Sequence, residues 1–557
     1  MNHQIENYLK ESNMRFIGIL GIITLLGIAF LMSNNRKKIN LRTVIWGMTL
    51  QLLFAAIILG APRLSYFAML LFVDLIILYL FNDEIISGAV RENQYLTAGI
   101  IILFTFLAGV VFYFLNNLNI LTIVWWALLL IIIIKAALKI SRYQKYLVAG
   151  LLSSGYVWIF SHGYTGQIIF SILSQKVKTF LALADLGSEF MFGNLAVSKH
   201  FFPGSGFWPG FGYQFGFKVL PVIIFFGAFM SILYHLGVMQ LIVKWMARFM
   251  QWTMGTSGSE TLSCSANIFV GQTEAPLLIR PFLNEMTMSE MLTVMVGGFA
   301  TIAGGVLAGY IAMGVSATHL IAASVMSAPA ALVVAKIIYP ETQLSKTSGD
   351  ADLPKDIIKT SNLLDAASAG VSDGLKLAVN VGAMLIAFIA LIGLIDTILA
   401  FADRLIDGKV FGGAFYQYTN ASALSPVKGE YAGFFPGSLK TFFATGLSPL
   451  AWLMGVSWQY AGEVGNLLGI KLALNEFVAY GSLAELIHNN VMDEKAVVIS
   501  TYALCGFANF ASIGIQIGGI SALAPKRRTD LSKIALKAMF GGAIASWLTA
   551  SIAGILI

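Results

Sequence analysis

Charged residues are scarce in this sequence of 557 residues. Asp, Glu, Lys and Arg together make up 11% of it, whereas a soluble domain carries about 25%. Hydrophobic residues make up 57%, and the mean hydropathy is +0.79. These values exclude a soluble protein, and apolar runs of about 17–25 residues predict membrane-spanning helices. The net charge of +7 does not indicate nucleic-acid binding, because an excess of Lys and Arg in a membrane protein usually marks cytoplasmic loops.

Cysteine and the common catalytic motifs are also scarce. The two cysteines, Cys264 and Cys505, lack metal-ligand spacing and are expected to be small buried thiols. None of the six histidines belongs to an H-E-x-x-H pattern, and no Walker A motif occurs. No nucleophile–base pair can be identified, so we expect neither an enzyme nor direct use of ATP, and no organic cofactor. The apolar stretch 16–32 has no small-residue cleavage site, so it predicts a span rather than a signal peptide.

Apolar runs of spanning length recur along the chain. They predict spans at 16–32, 43–60, 64–81, 97–115, 120–139, 144–161, 218–240, 291–313, 318–338, 377–400, 497–523 and 534–556. Two further apolar segments, 256–285 and 449–488, are interrupted by polar motifs and predict re-entrant hairpins. Their non-helical tips are tolerated only inside protein or beside a water-filled cavity. Segment 170–192 has one apolar stripe opposite polar residues, which predicts an amphipathic helix in the membrane interface.

The distribution of basic residues predicts the orientation. The densest basic loops lie at 34–42, 135–145 and 525–533. If the two hairpins do not cross the membrane, all three loops lie on one side, which should be the cytoplasm. Both termini are then expected outside, with a cytoplasmic loop at 340–373 and the main outer loop at 401–445.

Two pairs of short polar segments resemble copies of one another. They are G-Q-T-E-A-P (271–276) with G-F-A-T-I-A (298–303), and N-E-F-V-A-Y (475–480) with G-F-A-N-F-A (506–511). The first member of each pair places a carboxylate, Glu274 or Glu476, at a break in an apolar stretch. Paired interruptions in two halves of a membrane protein indicate the substrate site of a transporter.

A carboxylate near the bilayer centre costs at least about 2.5–3.5 kcal/mol, so it needs a partner or a function. The structural alternative is an ion pair, formed by Glu274 with Arg280 or by Glu476 with Lys471. The occurrence of both carboxylates at matching positions favours ligand binding instead. Asp74 also lies inside an apolar span, and the sequence identifies no partner for it.

Hydrogen-bonding side chains accompany both carboxylates. Gln272 and Thr273 place an amide and a hydroxyl beside Glu274, a set that suits the edge of a planar heterocycle. Asn509 and Ser512 are one helical turn apart, so we expect them to share a face. With Glu476 they could hold a vicinal diol, and such sites strongly reject ligands without the polar group.

A second kind of site is indicated by Asn267 and Thr301. Asn267 lies about two helical turns before Glu274, and Thr301 lies within the first G-F-A segment. Neutral oxygens beside carbonyls freed by unwinding suit Na⁺. Interhelical hydrogen bonding by the same two side chains is the alternative.

At these residues the chain resembles the concentrative nucleoside transporter family. The family signature G-x-K-x-x-x-N-E-F-V-A-Y is present in full at 469–480. Further similar segments are S-A-N-I-F-V-G-Q-T-E-A-P-L-L-I-R-P from Ser265, G-G-F-A-T-I-A-G from Gly297 and A-L-C-G-F-A-N-F from Ala503.

The resemblance implies an all-α integral membrane fold. It would be a polytopic helical bundle with two re-entrant hairpins, interrupted helices and an inverted internal repeat, arranged as a trimeric scaffold and a transport core. Five segments are expected: 1–61 with two spans, 62–165 with an inserted block of about four spans, 166–217 with the interfacial helix and a loop, 218–376 with the first repeat, hairpin 1 and a cytoplasmic loop, and 377–557 with a scaffold span, the outer loop, hairpin 2 and the second repeat. The inserted block is a departure from the resemblance, because it has no counterpart in the compact bacterial members of the family.

The resemblance also implies a function and a set of site residues. The function is import of nucleosides, for example uridine, across the cell membrane by an ion-coupled homotrimer working by alternating access. The coupling ion would be Na⁺, with H⁺ as the alternative and a nucleoside-permeable channel as a more distant one. Residues implied in nucleoside binding are Gln272, Thr273, Glu274, Val306, Glu476, Phe507, Asn509 and Ser512. Those implied in Na⁺ binding are Asn267, Val270, Thr301 and Ile302, with Val270 and Ile302 acting through their carbonyls.

Overall fold

A computed structural model describes residues 2–82, 144–197, 214–346, 360–418 and 425–557, and isolated helical positions at 99, 103, 123, 125–129 and 131–132. The described secondary structure is helical apart from one two-stranded sheet. Most residues of the predicted spans 97–115 and 120–139, and of the basic loop 135–145, lie outside the described part.

The N-terminal helices match the predicted spans closely. They are α1 (Asn2–Leu31), α2 (Leu41–Leu59), α3 (Pro62–Asn82), α4 (Gln144–Ser161), α5 (Gly166–Leu181) and α6 (Leu183–Phe192). The single interfacial helix predicted at 170–192 is wrong, since the chain forms α5 and α6 there. The carbonyl of Ala182 accepts from the amide of Asp185, at 3.0 Å, and this tighter turn separates the two helices.

The remaining helices form two successive series. The first comprises α7 (Phe215–Lys218), α8 (Leu220–His235), α9 (Val238–Met254), α10 (Gly258–Ala266), α11 (Ala275–Leu278), α12 (Met288–Ala300), α13 (Gly304–Ala312) and α14 (Ala317–Ile338). The second comprises α15 (Leu363–Asp403), α16 (Leu439–Leu453), α17 (Trp458–Ala473), α18 (Glu476–His488), α19 (Glu494–Leu504), α20 (Phe510–Leu523) and α21 (Arg528–Leu556).

Both predicted G-F-A spans are interrupted helices. Residues 301–303, the first break, separate α12 from α13. Residues 505–509, the second break, separate α19 from α20. The segments expected as hairpins likewise consist of two helices joined by non-helical residues, at 267–274 between α10 and α11 and at 474–475 between α17 and α18. These interruptions place the polar motifs beside non-helical backbone.

The predicted loops are more ordered than expected. Helix α15 begins at Leu363 because the side chain of Asn362 accepts from the amide of Asp365 and caps its N-terminus. The loop expected at 340–373 is therefore helical at its end, and its residues 347–359 lie outside the described part. The outer segment 401–445 contains the end of α15, the start of α16 and the antiparallel pair β1 (Phe415–Gln417) and β2 (Gly429–Tyr431).

The chain divides into two compact units. The larger contains 1–51, 174–555 and 557, and the smaller contains 52–173 and 556. In the smaller unit, Ile77 and Phe81 of α3 pack with Ala149 of α4. Oδ1 of Asp74 is buried there without a hydrogen-bond partner among the described residues. The five predicted segment boundaries stay a prediction.

The helices have the length and composition of a membrane protein. Within the described part, seven helices are long and apolar enough to cross a membrane. The window in Ala317–Ile338 is 89% buried, whereas the window in Leu363–Val410 is 18% buried. Some spans are therefore enclosed by protein, and others present apolar side chains outward.

Candidate functional site

Glu476 lies at the N-terminus of α18, where a helix stabilises negative charge. The preceding residue, Asn475, caps this helix by accepting from the amide of Val478 at 2.9 Å. The Glu476 side chain is only 5% exposed. Tyr310 Oη donates to its Oε1 at 3.1 Å, and Asn509 Nδ2 donates to its Oε2 at 3.2 Å. This buried carboxylate is held by two neutral donors.

Asn509 connects Glu476 to helix α20. Its Oδ1 accepts from the amide of Ser512 at 2.8 Å, so Asn509 is the N-cap of α20. The predicted proximity of Asn509 and Ser512 therefore takes the form of a capping contact, with Asn509 just before the helix and Ser512 in its first turn. The cap leaves its Nδ2 free to donate to Glu476.

Ser512 connects this cluster to the first polar motif. Gln272 Nε2 donates to Ser512 Oγ at 3.2 Å. Gln516, one turn further along α20, donates to Gln272 Oε1 at 3.0 Å and to the Met295 carbonyl at 3.1 Å. The structure thus connects side chains from both series of helices by one buried succession of hydrogen bonds. This succession, here called the polar chain, comprises Gln272, Ser512, Asn509 and Glu476.

Thr273 and Glu274 are less enclosed. A side-chain carbon at Gly519 would lie 2.8 Å from Thr273 Cγ2, so Thr273 packs closely on α20. Glu274 is exposed, in contrast to the buried Glu476. The chain turns at 272–274 before the four-residue helix α11. This turn brings the Glu274 carboxylate so close to Gly271 that a side chain at position 271 would collide with it.

Neither alternative ion pair forms in the described part of the chain. Glu274 has no ion pair with Arg280, and Glu476 has none with Lys471. The Lys471 ammonium instead donates to the carbonyls of Ala503 and Cys505, at 3.0 and 3.2 Å. The two carboxylates are therefore not explained as structural salt bridges.

The residues implied in Na⁺ binding adjoin the first break. Asn267 is 1% exposed, and its Oδ1 and Nδ2 lack partners among the described residues. Thr301 begins the break and donates to the Gly297 carbonyl at 2.8 Å. A side-chain carbon at Gly297 would lie 3.4 Å from Asn267 Nδ2, so these residues are neighbours. Ile302 is buried within the break, and Val270 follows Asn267 by three residues.

This arrangement suits a small cation. A buried amide oxygen without a protein partner is unfavourable unless a ligand or water satisfies it. The interhelical hydrogen bond considered from the sequence does not involve Asn267, and Thr301 bonds within its own helix. Neutral oxygens at an interrupted helix are the ligands that Na⁺ takes in transporters.

Val306 and Phe507 occupy different surroundings. Val306 is buried on α13, and Phe507 is half-buried in the second break. Both side chains are apolar and form no hydrogen bonds, so their contribution to binding would be packing alone. Their packing against a nucleobase stays a prediction.

Sequence reasoning missed Tyr310 and Gln516. Gln516 follows Ser512 by four residues on α20, so helical periodicity could have identified it. Tyr310 lies 166 residues from Glu476 and has no local signal.

Comparison with family models identifies three successive matches. Residues 20–69 match the model of the Na⁺ dependent nucleoside transporter N-terminus, 216–317 match "nucleoside recognition", and 319–554 match the Na⁺ dependent nucleoside transporter C-terminus.

Proteins with similar sequences agree with these models. Sodium/nucleoside cotransporter 1 of Rattus norvegicus is 42% identical over 404 residues, which cover 70% of this chain and 56% of that protein. The chain thus spans little more than half the length of such curated relatives. An uncharacterized transporter of Haemophilus influenzae is 41% identical over 396 residues, which cover 70% of this chain and 86% of that protein.

A solved structure of CNTnw in an inward-facing substrate-bound state resembles the whole fold. It is 31% identical, with a TM-score of 0.69 over 98% of both chains. These similar proteins are transporters, in agreement with the prediction that the chain is not an enzyme. The predicted helical membrane fold is confirmed, with the small β1–β2 sheet as an addition. On its sequence, its interrupted helices and its likeness to these proteins, the chain belongs to the Na⁺ dependent nucleoside transporter family.

Proposed function

We propose that this protein is a Na⁺-coupled symporter that imports nucleosides across the cell membrane by alternating access. The polar chain is the main observation in favour, because it places hydrogen-bonding groups from both halves in one buried series. Relatives named as sodium/nucleoside cotransporters support the substrate class and the ion.

The polar chain suits recognition of a nucleoside. Glu476, Asn509 and Ser512 would bind the ribose hydroxyls, and Gln272, Thr273 and Glu274 would bind the base edge. Val306 and Phe507 would pack on the base. In this arrangement the ligand replaces the Gln272–Ser512 hydrogen bond and satisfies both groups. Nucleosides lacking a ribose hydroxyl should be rejected, since they leave buried polar groups unpaired.

Coupling would follow from the contact between the two breaks. A side-chain carbon at Gly506 would lie 2.5 Å from the Phe299 carbonyl oxygen, so the second break packs on the end of α12, just before Thr301. Na⁺ bound by Asn267, Thr301 and the carbonyls of Val270 and Ile302 would thus order backbone next to the nucleoside. Each ligand should then raise the affinity for the other.

One monovalent cation supplies enough free energy for accumulation. Its movement through about 100 mV releases roughly 2.3 kcal/mol. Because about 1.4 kcal/mol corresponds to a factor of ten, this supports roughly fiftyfold accumulation of a neutral nucleoside.

H⁺ coupling is the second candidate. The observation in its favour is that Glu476 is buried and that, in the described part of the chain, its two side-chain hydrogen bonds come from the neutral donors Tyr310 and Asn509. A carboxylate without an ion pair can take up a proton at a smaller cost than one paired with a base.

The test is uptake of radiolabelled uridine and adenosine by purified protein in proteoliposomes, with Na⁺ and pH varied independently. We expect accumulation above equilibrium that requires Na⁺. Full activity without Na⁺ that follows the proton gradient would replace Na⁺ by H⁺. Equilibration without accumulation would indicate a channel, and chemically altered nucleoside would indicate an enzyme.

The quaternary arrangement is also proposed. Helix α15 is long, and its apolar side chains, among them Ile386 and Leu394, are largely exposed. Such a surface suits lipid or another copy of the chain. A homotrimer with this helix in its scaffold is expected, and the mass of the detergent-purified particle tests it.

A further inference from the structure

Helix α19 ends in the buried core, and its last carbonyls are bonded by side chains from other helices. Tyr480 donates to the Thr501 carbonyl at 2.8 Å. Lys471 donates to the carbonyls of Ala503 and Cys505, and Ser546 also donates to that of Cys505. A helix C-terminus attracts positive charge, so the ammonium is electrostatically suited to this position.

The Lys471 ammonium is an unusual group to find there. The side chain is 0% exposed, and no carboxylate pairs with it among the described residues. Burying an ammonium is costly unless its hydrogen bonds are satisfied. Two of its donors are satisfied by the carbonyls of Ala503, in the last turn of α19, and Cys505, in the second break, which indicates that the charge stabilises the backbone where the helix ends.

The equivalent place in the first half holds no such cation. Asn267 precedes the first polar motif, at Gly271, by four residues, and Lys471 precedes the second motif, at Asn475, by four residues. Each adjoins the end of the interrupted helix, since Asn267 neighbours Gly297 of α12 and Lys471 contacts Cys505 after α19. No lysine or arginine in the described residues donates to a carbonyl in the last turn of α12.

We propose that Lys471, assisted by Ser546, is a positioning residue that acts as a built-in cation at the second break, in the place that an exchangeable cation takes at the first. This inference rests on the proposed function. The ammonium fixes the carbonyls of Ala503 and Cys505, and through them Gly506 and the Asn509 cap. Asn509 in turn donates to Glu476. The contacts of Lys471 and Ser546 with these carbonyls, here called the clamp, therefore fix the positions of the nucleoside-binding side chains, while the ion at Asn267 remains free to exchange.

The proposal predicts that charge at Lys471 matters more than volume. In Lys471→Met the stem is retained and the ammonium is lost. We expect at least a tenfold rise in the nucleoside KM and a similar rise in the Na⁺ concentration for half-maximal uptake. Lys471→Arg keeps the charge and should retain more of both affinities than Lys471→Met. Lys440→Met is the matched control, because the half-buried Lys440 pairs with the carboxylate of Glu463 at 3.0 Å rather than with backbone carbonyls of a break.

The experiment measures initial uridine uptake by these reconstituted variants over a grid of Na⁺ and uridine concentrations. Wild-type values in Lys471→Met, or equal impairment of Lys471→Met and Lys471→Arg, would overturn the proposal. If Lys471→Met does not yield monodisperse protein, Ser546→Ala is measured instead. A threefold or greater rise in both constants supports the clamp, and unchanged constants overturn it. Absence of ion-driven uptake by the wild type would overturn the proposed function itself, so the two failures are distinguishable.

Discussion

At the scale of single residues, Glu476 should be the least replaceable side chain of the site. Its two carboxylate oxygens accept from Tyr310 and Asn509. In Glu476→Gln one carboxylate oxygen becomes an amide NH₂ group, which donates and cannot accept the hydrogen bond from Tyr310 or Asn509. Because hydrogen bonds to a charged group contribute about 1.5–3 kcal/mol, uptake should fall roughly 10- to 100-fold. Initial uridine uptake per reconstituted protein checks this, and wild-type uptake would refute the assignment.

Tyr310→Phe is the matched test of the same carboxylate. It removes one donor and leaves the charge and the Asn509 contact in place. We expect a smaller loss than in Glu476→Gln, about tenfold in kcat/KM, because only one hydrogen bond to the carboxylate is removed.

Asn267 should act on the ion rather than on the nucleoside. Its side chain has no partner in the described protein, so Asn267→Ala breaks no internal hydrogen bond. We expect the Na⁺ concentration for half-maximal uptake to rise at least fivefold, with a smaller change in maximal rate. Uptake measured against Na⁺ at saturating uridine checks this, and unchanged Na⁺ dependence would remove Asn267 from the ion site.

At the scale of elements, the second break depends on Gly506. Its φ is +115°, a conformation that residues with a side chain rarely adopt. A Cβ there would also lie 2.5 Å from the Phe299 carbonyl oxygen. This oxygen belongs to the backbone, so it can move away only if helix α12 moves with it. Gly506→Ala should therefore destabilise the fold by about 1–3 kcal/mol or more and separate the two breaks.

The measurement is the thermal unfolding midpoint of the purified variant. Gly514→Ala is the control, because Gly514 lies within α20 and a Cβ there meets nothing within 4 Å. That substitution should leave the midpoint unchanged or raise it slightly, since Ala is the better helix former. Equal midpoints for the two variants would show that the close approach at Gly506 is unimportant.

The family resemblance implied interrupted helices, and the G-F-A segments indicated their place, but the residue at which each helix ends was not predicted. Helix α12 continues through Ala300, whereas α19 ends at Leu504, before its G-F-A segment. The difference arises from tertiary contacts at the end of α19, where side chains on other helices satisfy its carbonyls. Such contacts join residues distant in sequence, so hydropathy and motif spacing cannot reveal them.

The site residues that lie within sequence motifs were predictable, whereas the surroundings of each residue were not. Gln272, Ser512, Asn509 and Glu476 belong to recognisable motifs, and the structure brings them together. The different surroundings of Glu274 and Glu476 were not predictable from motifs that resemble one another. Glu476 begins a 13-residue helix, whereas Glu274 lies in a turn before a four-residue one, and this leaves it exposed.

At the scale of the whole molecule, the arrangement of basic residues makes the orientation testable. The loops that contain Lys38 and Lys526 are predicted to face the cytoplasm, and the segment that contains Phe434 is predicted to face outward. Both native cysteines are buried, so they should contribute little background to thiol labelling. Phe434 is 96% exposed and suits the outer control.

Single cysteines introduced as Lys38→Cys, Lys526→Cys and Phe434→Cys test this orientation. With a membrane-impermeant maleimide on intact cells, Phe434→Cys should be labelled, and the other two only after the membrane is opened. The reason is that Lys and Arg in short loops favour the cytoplasmic side. Labelling of Lys526→Cys but not Lys38→Cys in intact cells would mean that one predicted hairpin crosses the membrane, because a single added crossing moves only the downstream loop to the other side.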